Sequence, residues 1–197
     1  MWTKHTSALC SSDNYTTFIY LEDDILLSWE ALQAWAEDTE HLVPLGFQRG
    51  FFRIEYSHFT GQMMVWDQVN KINLTDYDRI LTLHTNVERQ HFLQLSNPYM
   101  GMWLATSQQL FRFKNSKWWS HHSSKKWMVR EMAACAMQLV DVPANFTSAA
   151  IVPYNYENRS LDIKAGVFHL TNNYCGSRKA SVQHKFCRIT LAGYLVT

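Results

Sequence analysis

Three consecutive carboxylates interrupt an otherwise apolar run, "TFIYLEDDILL", at residues 17–27. Phe18, Ile19 and Tyr20 favour extended backbone, and a short apolar run closed by a polar turn predicts a buried, central strand over Thr17–Leu21. An unpaired carboxylate is costly to desolvate, so Glu22, Asp23 and Asp24 must face solvent, meet cations or hold a metal. Ser28 then offers an N-cap for a helix running to about Thr39, with Trp29, Leu32 and Trp35 spaced to share one face. Pro44 and Gly46 punctuate its end. The chain is therefore expected to bring its acids to the rim of a sheet and leave by a helix. If the extended backbone continues, Glu22 and Asp24 fall on one side and Asp23 on the other. The plain reading is a solvated turn that complements the dipole of the following helix. The sharper one is a site for Mn²⁺ or Mg²⁺, hard cations that take oxygen ligands and bridge to phosphates while keeping some water. That spacing proposes a nucleotide-diphosphate site.

The rest of the chain alternates helical and strand signals without repeats, so an α/β class is expected. "GFFRIEYSH" and "RILTLHTNV" read as strands, and Asn70 to Asp78 as a loop. Ser107 to Phe113 reads as a short helix after the turn "SNPYMG", and "KNSKWWSHHSSKK" as a polar loop. Trp127 to Val140 carries Met128, Met132, Cys135, Ala136 and Leu139 at helical spacing and predicts an amphipathic helix ended by Pro143. Ala149–Pro153 and Val167–Leu170 read as short strands. No Gly-rich phosphate loop is present, which removes P-loop and Rossmann fingerprints.

At 197 residues and 47% hydrophobic, the chain is long enough for one domain with a core, 1–197. The net charge of +1 is scattered apart from Lys125, Lys126 and Arg130, so no nucleic-acid partner is expected. No run reaches membrane-span length, and the first residues lack the apolar centre of a signal peptide; a soluble chain is expected. Four cysteines without a CxxC pair argue against a thiolate zinc site. Cys135 reads as a core residue, and Cys175 with Cys187 as the preferred disulfide in an oxidising compartment. Sequons at Asn73, Asn145 and Asn158 shift the expected compartment toward the secretory-pathway lumen; were they fortuitous, it would be the cytoplasm.

"YLEDDI" after a strand resembles the acidic motif, DxD or its EDD variant, of glycosyltransferases with the GT-A fold. The resemblance runs from Thr17 to about Tyr174 and implies a GT-A-like mixed sheet flanked by helices. It implies that Asp24, the last acid, coordinates Mn²⁺ or Mg²⁺, that Glu22, Asp23 and Asp24 face the nucleotide-sugar donor, and that the acceptor is a glycan or glycoprotein. "NPYMGMWLATSQQLF" is similar to the family's donor-sugar and acceptor segment. "WMVREMAACAM" stands where the family carries a helix-borne acid, which nominates Glu131 as the general base. "GVFHLTNNY" resembles the late strand whose histidine completes the metal site, which nominates His169. The nearest layout is that of inverting N-acetylglucosaminyltransferases with an EDD motif, and a Golgi location goes with it.

The family normally places several strands before its acidic motif, whereas fewer than two dozen residues precede Glu22 here. The fold is therefore expected to be incomplete at the N-terminus: a C-terminal fragment lacking most of the nucleotide-binding half, a chain completed by another, or a non-catalytic remnant. Membrane attachment would come only through a missing N-terminal anchor. Each nominated residue also has an ordinary alternative. His169 reads equally as a hydrogen-bonded structural residue, Glu131 as part of a solvated helix face, and Trp103, Trp118, Trp119 and Trp127 mostly as core rather than sugar platforms. His121 and His122 read as surface residues. Two rival functions stay open, a metal-dependent phosphohydrolase and a non-catalytic carbohydrate-binding or scaffold domain.

Overall fold

The structure, a computed structural model, describes residues 15–57, 61–66, 80–84, 89–94, 99–119, 129–158, 160–171 and 189–190. The predicted polar loop at 70–78, Trp127, His121, His122, Asn73, and the proposed Cys175–Cys187 pair lie outside these residues.

The fold is mixed α and β, with strands β1 (Thr17–Leu21), β2 (Ile25–Leu26), β3 (Gln48–Arg49), β4 (Phe52–Ser57), β5 (Gln62–Trp66) and β6 (Ile80–His84). They are followed by β7 (Arg89–Gln94), β8 (Met102–Thr106), β9 (Ala150–Asn155), β10 (Ser160–Leu161), β11 (Gly166–His169) and β12 (Ile189–Thr190). The α-helices are α1 (Trp29–Leu42), α2 (Ser107–Lys114) and α3 (Val129–Cys135). One five-stranded sheet runs in the order β12-β5-β4-β11-β2. A second runs β10-β9-β7-β6, with β3 pairing β9, and β1 pairs β8 alone among the described strands. The main core joins these parts: Phe52 and Ile54 of β4, Val167 of β11, Met102 and Leu104 of β8, Leu93 of β7, Val152 of β9, and Ala31 and Trp35 of α1.

Helix α1 begins where the sequence predicts, since the Ser28 hydroxyl accepts the Ala31 N–H at 3.1 Å. It runs three residues beyond Thr39, to Leu42, and then tightens into a 3₁₀ turn at Val43–Leu45 that Gly46 ends at φ 81°. Its buried stripe is Ala31, Trp35, Thr39 and Leu42, four residues at helical spacing. Trp29, expected on that face, is instead 66% exposed, because at 3.6 residues per turn it lies about 120° round the helix from Trp35 and off the buried stripe.

Two other expectations need correction. β1 forms as predicted but is not buried: Phe18 and Tyr20 pack half-buried on a second core around Trp103, Leu110 and Met132, while Ile19 is 52% and Leu21 43% exposed. Only one of its faces is covered by the described residues. Among the described residues, the helix predicted over 127–140 is α-helical over Val129–Cys135 and continues as a 3₁₀ turn at Ala136–Leu139. The reason lies in tertiary hydrogen bonds. Gln48 Nε2 donates to the Met137 carbonyl at 3.0 Å, and Ala149 N to the Gln138 carbonyl at 2.8 Å. Met132, Cys135 and Ala136 of the predicted apolar face are buried and Glu131 and Ala133 partly exposed, but the 3₁₀ turn is covered more fully, with Ala136, Met137 and Gln138 all buried. Cys135 is a buried core residue, as expected.

Candidate functional site

The acidic motif ends β1 and turns directly into β2, with Ile25 N donating to the Glu22 carbonyl at 3.2 Å. Glu22 is held from the loop ahead of β8. Its N–H donates to the Gly101 carbonyl at 2.9 Å, and the Tyr99 hydroxyl lies 3.2 Å from both of its carboxylate oxygens. Gly101 is required there twice over. Its φ is +75°, and a Cβ would stand 3.0 Å from Glu22 Oε2 and 3.2 Å from Ile25 Cγ1. The "NPYMGMW" segment therefore meets the acidic motif through Tyr99 and Gly101. The Arg53 guanidinium carbon lies 5.8 Å from the centroid of the Tyr99 ring. Asp23 is exposed on the turn.

Asp24 is fastened to β11. Its carbonyl accepts the Leu170 N–H at 2.8 Å, and its Oδ2 lies 3.1 Å from His169 Nε2. Strand register explains why residues 145 positions apart meet. β11 lies between β2 and β4, antiparallel to the first and parallel to the second. His169 sits opposite Ile25, the residue after Asp24, and Phe168 sits opposite Ile54, the residue before Glu55. His169 is thus flanked by a carboxylate from each neighbouring strand.

On the far side, His169 Nδ1 is hydrogen-bonded to Glu55 Oε1. The Glu55 side chain is fully buried and that of His169 is 4% exposed, while Asp24 remains 31% exposed. A carboxylate without a proton only accepts, so Nδ1 carries the hydrogen and Glu55 sets the ring's orientation. His169 Nε2 in turn stands 3.1 Å from Asp24 Oδ2 and 2.9 Å from the Thr171 hydroxyl; toward the Asp24 carboxylate it acts as an N–H donor unless a cation sits between the two atoms. Glu55 was not foreseen from the sequence. β4 alternates Phe52 and Ile54 with Arg53, Glu55 and Ser57, and alternation of that kind signals a wet outer face. Here all five are buried. Two charged residues in so apolar a stretch were the available signal, but nothing local pointed to His169.

Two donor atoms 3.1 Å apart fit adjacent positions on one small hard cation. Ligand distances of about 2.1 Å in octahedral geometry put neighbouring donors about 3 Å apart. A carboxylate hydrogen-bonded to the other nitrogen of a ligating histidine is the common supporting arrangement. Asp24 and Glu55 occupy opposite ring nitrogens, so only Asp24 shares a focus with Nε2. No cluster of three or more His, Cys, Asp or Glu able to hold an ion occurs among the described residues. Asp24 and His169 would supply two ligands and leave the remainder to water or phosphate.

Of the nominated residues, the structure brings Asp24 and His169 into contact, while Glu22, two residues before Asp24, turns its carboxylate to Tyr99. Glu131 stands on a different element, in the first turn of α3 and half-buried. That helix packs on β8, where Trp103 Nε1 donates to the Ala133 carbonyl at 3.1 Å. Trp103 is therefore a core residue stacked on Tyr20 at 5.9 Å, and Trp118 and Trp119 pack half-buried against the same cluster. No protein-family model, characterised protein or solved structure matches the chain.

Proposed function

We propose that this chain is a metal-dependent glycosyltransferase, which moves a sugar from a nucleoside-diphosphate donor to an acceptor hydroxyl with inversion. The observation that carries the reading is the approach of Asp24 Oδ2 to His169 Nε2 at 3.1 Å, with Glu55 behind the ring, at the end of an acidic motif that resembles EDD. Asp24 and His169 would hold a Mn²⁺ or Mg²⁺ ion, which when bound would supply positive charge to offset that of the departing diphosphate. Glu22, fixed by Tyr99 and Gly101, hydrogen-bonds the donor ribose or a metal-bound water, and Asp23 shapes the turn. Glu131 takes the proton of the acceptor hydroxyl as that oxygen bonds to the anomeric carbon and the bond to the diphosphate breaks. The acceptor is a glycan or glycoprotein, and the compartment is the Golgi or another part of the secretory lumen. Asn145 and Asn158 of two sequons are exposed on turns, where a glycan is sterically possible.

Titrating Mn²⁺ into the protein, alone and with UDP or GDP, tests the proposal. Metal binding strengthened by a nucleoside diphosphate and lost in Asp24→Asn is the expected result. Release of phosphate with metal alone would identify a phosphohydrolase, and binding of neither probe would identify a non-catalytic domain.

A further inference from the structure

A cleft of about 880 Å³ opens between α1, the start of β7 and the β9–β10 hairpin. None of Glu22, Asp24, Glu55 or His169 lines it, so what it binds is independent of the metal-site reading. Its volume is within the range of small-ligand sites.

One wall carries an aromatic platform. Tyr156 is 45% exposed, yet its ring is held by neighbours, with its centroid 5.1 Å from that of His91 at 31° and 6.5 Å from that of Tyr154 at 87°. His91 is in turn fixed by Thr82, whose Oγ1 lies 3.0 Å from Nδ1. A rigid, half-exposed tyrosine at the wall of a cleft offers an apolar face and a polar edge at little entropic cost.

The charges around the cleft decide what rests on that face. Arg49, buried at its base, directs its guanidinium to Asp38 at 3.1 Å, the Gly50 carbonyl at 3.0 Å and the Lys164 carbonyl at 3.1 Å. It is committed to the fold. Elsewhere the lining alternates Glu37, Glu157 and Asp162 with Arg89 and Lys164. Such interspersed signs give no net field to draw in a phosphate or a polybasic chain. Planar carboxylate, amide and guanidinium groups do suit paired hydroxyls, and Gln90 and Asn155 add amides to the lining.

We infer that this cleft is a binding site for a neutral oligosaccharide, with one sugar ring stacked on Tyr156 and its hydroxyls hydrogen-bonded to the mixed polar rim. The test uses the full chain in buffer containing a chelator and no nucleotide. Chitotriose and maltotriose serve as neutral probes, and a heparin oligosaccharide and an oligolysine peptide as charged ones. A neutral probe should bind saturably and shift the backbone amide resonances of His91, Asn155 and Tyr156. Tyr156→Ala should weaken that binding roughly tenfold, Tyr156→Phe should largely restore it, and Asp24→Asn should leave it unchanged. The proposal is overturned if neither neutral probe binds, if only a charged probe binds, if the shifts map elsewhere, or if folded Tyr156→Ala binds as the wild type does.

Discussion

Glutamine in place of Glu55 separates a carboxylate that tunes a metal ligand from one that merely fills space. The two side chains have nearly the same shape, and glutamine keeps an oxygen that accepts the His169 Nδ1–H, so the ring stays in place while the negative charge behind it disappears. Both partners are almost wholly buried, with side-chain exposures of 4% for His169 and 0% for Glu55, so water does not replace what is lost. A charge-assisted hydrogen bond of about 1.5–3 kcal/mol becomes a neutral one of about 0.5–1.5 kcal/mol. Part of that loss is offset because a carboxylate no longer has to be desolvated, and the net change in unfolding free energy should be about 1 kcal/mol or less. Metal affinity should respond more strongly. Loss of the group that orients and polarises a ligating histidine typically costs about 10–100-fold, or about 1.4–2.8 kcal/mol. Glu55→Ala is the contrasting variant, since it leaves the Nδ1–H without its partner at about 1–3 kcal/mol and should lose fold stability as well. Urea unfolding and Mn²⁺ calorimetry on the same preparations give both quantities. A folded Glu55→Gln protein that binds Mn²⁺ within twofold of wild type would refute the reasoning, because His169 would then not need Glu55 to present Nε2.

Gly101→Ala should destabilise the fold by about 1–3 kcal/mol, since φ is +75° and the new Cβ would crowd Glu22 and Ile25; thermal unfolding reads this directly, and an unchanged midpoint would contradict it. Asp38 gives a pH prediction. Burial raises its pKa above the ordinary 3.8, against the opposing pull of Arg49, so the folded chain holds this proton more tightly than the unfolded chain. The stability this contributes is full below 3.8 and is lost as pH rises through the raised folded value. Denaturant unfolding of wild type and Asp38→Asn should show the wild type gaining on the variant as pH falls through that window. A constant difference would mean that the burial is not felt.

Much of the local structure follows from short stretches of sequence. The start of α1 is legible because Ser28 and the apolar spacing after it act within one turn, and the end of the 3₁₀ turn that follows it because Gly46 takes a backbone conformation that other residues avoid. The strand character of Phe18–Leu21, Phe52–Ser57 and Ile80–His84 is legible in the same way, as is the core position of Cys135. What failed depended on neighbours. The buried stripe of α1 is the one facing the sheets and leaves Trp29 to one side, β1 has the composition of a central strand but only one face covered by the described residues, and α3 gives up its last turns to Gln48 and Ala149.

The candidate site divides along the same line. The sequence by itself determined that three acids end a strand and that a helix carries the chain away from them, because burial cost and capping act locally. It pointed to His169 only through resemblance, and to Glu55 not at all. Bringing Asp24, His169 and Glu55 into one line required β11 to insert between β2 and β4, a pairing that spans 114 residues between Glu55 and His169. Strand order and register are settled by packing both faces of a sheet at once. Only the tertiary structure therefore decided which carboxylate stands behind the histidine and which faces solvent beside it.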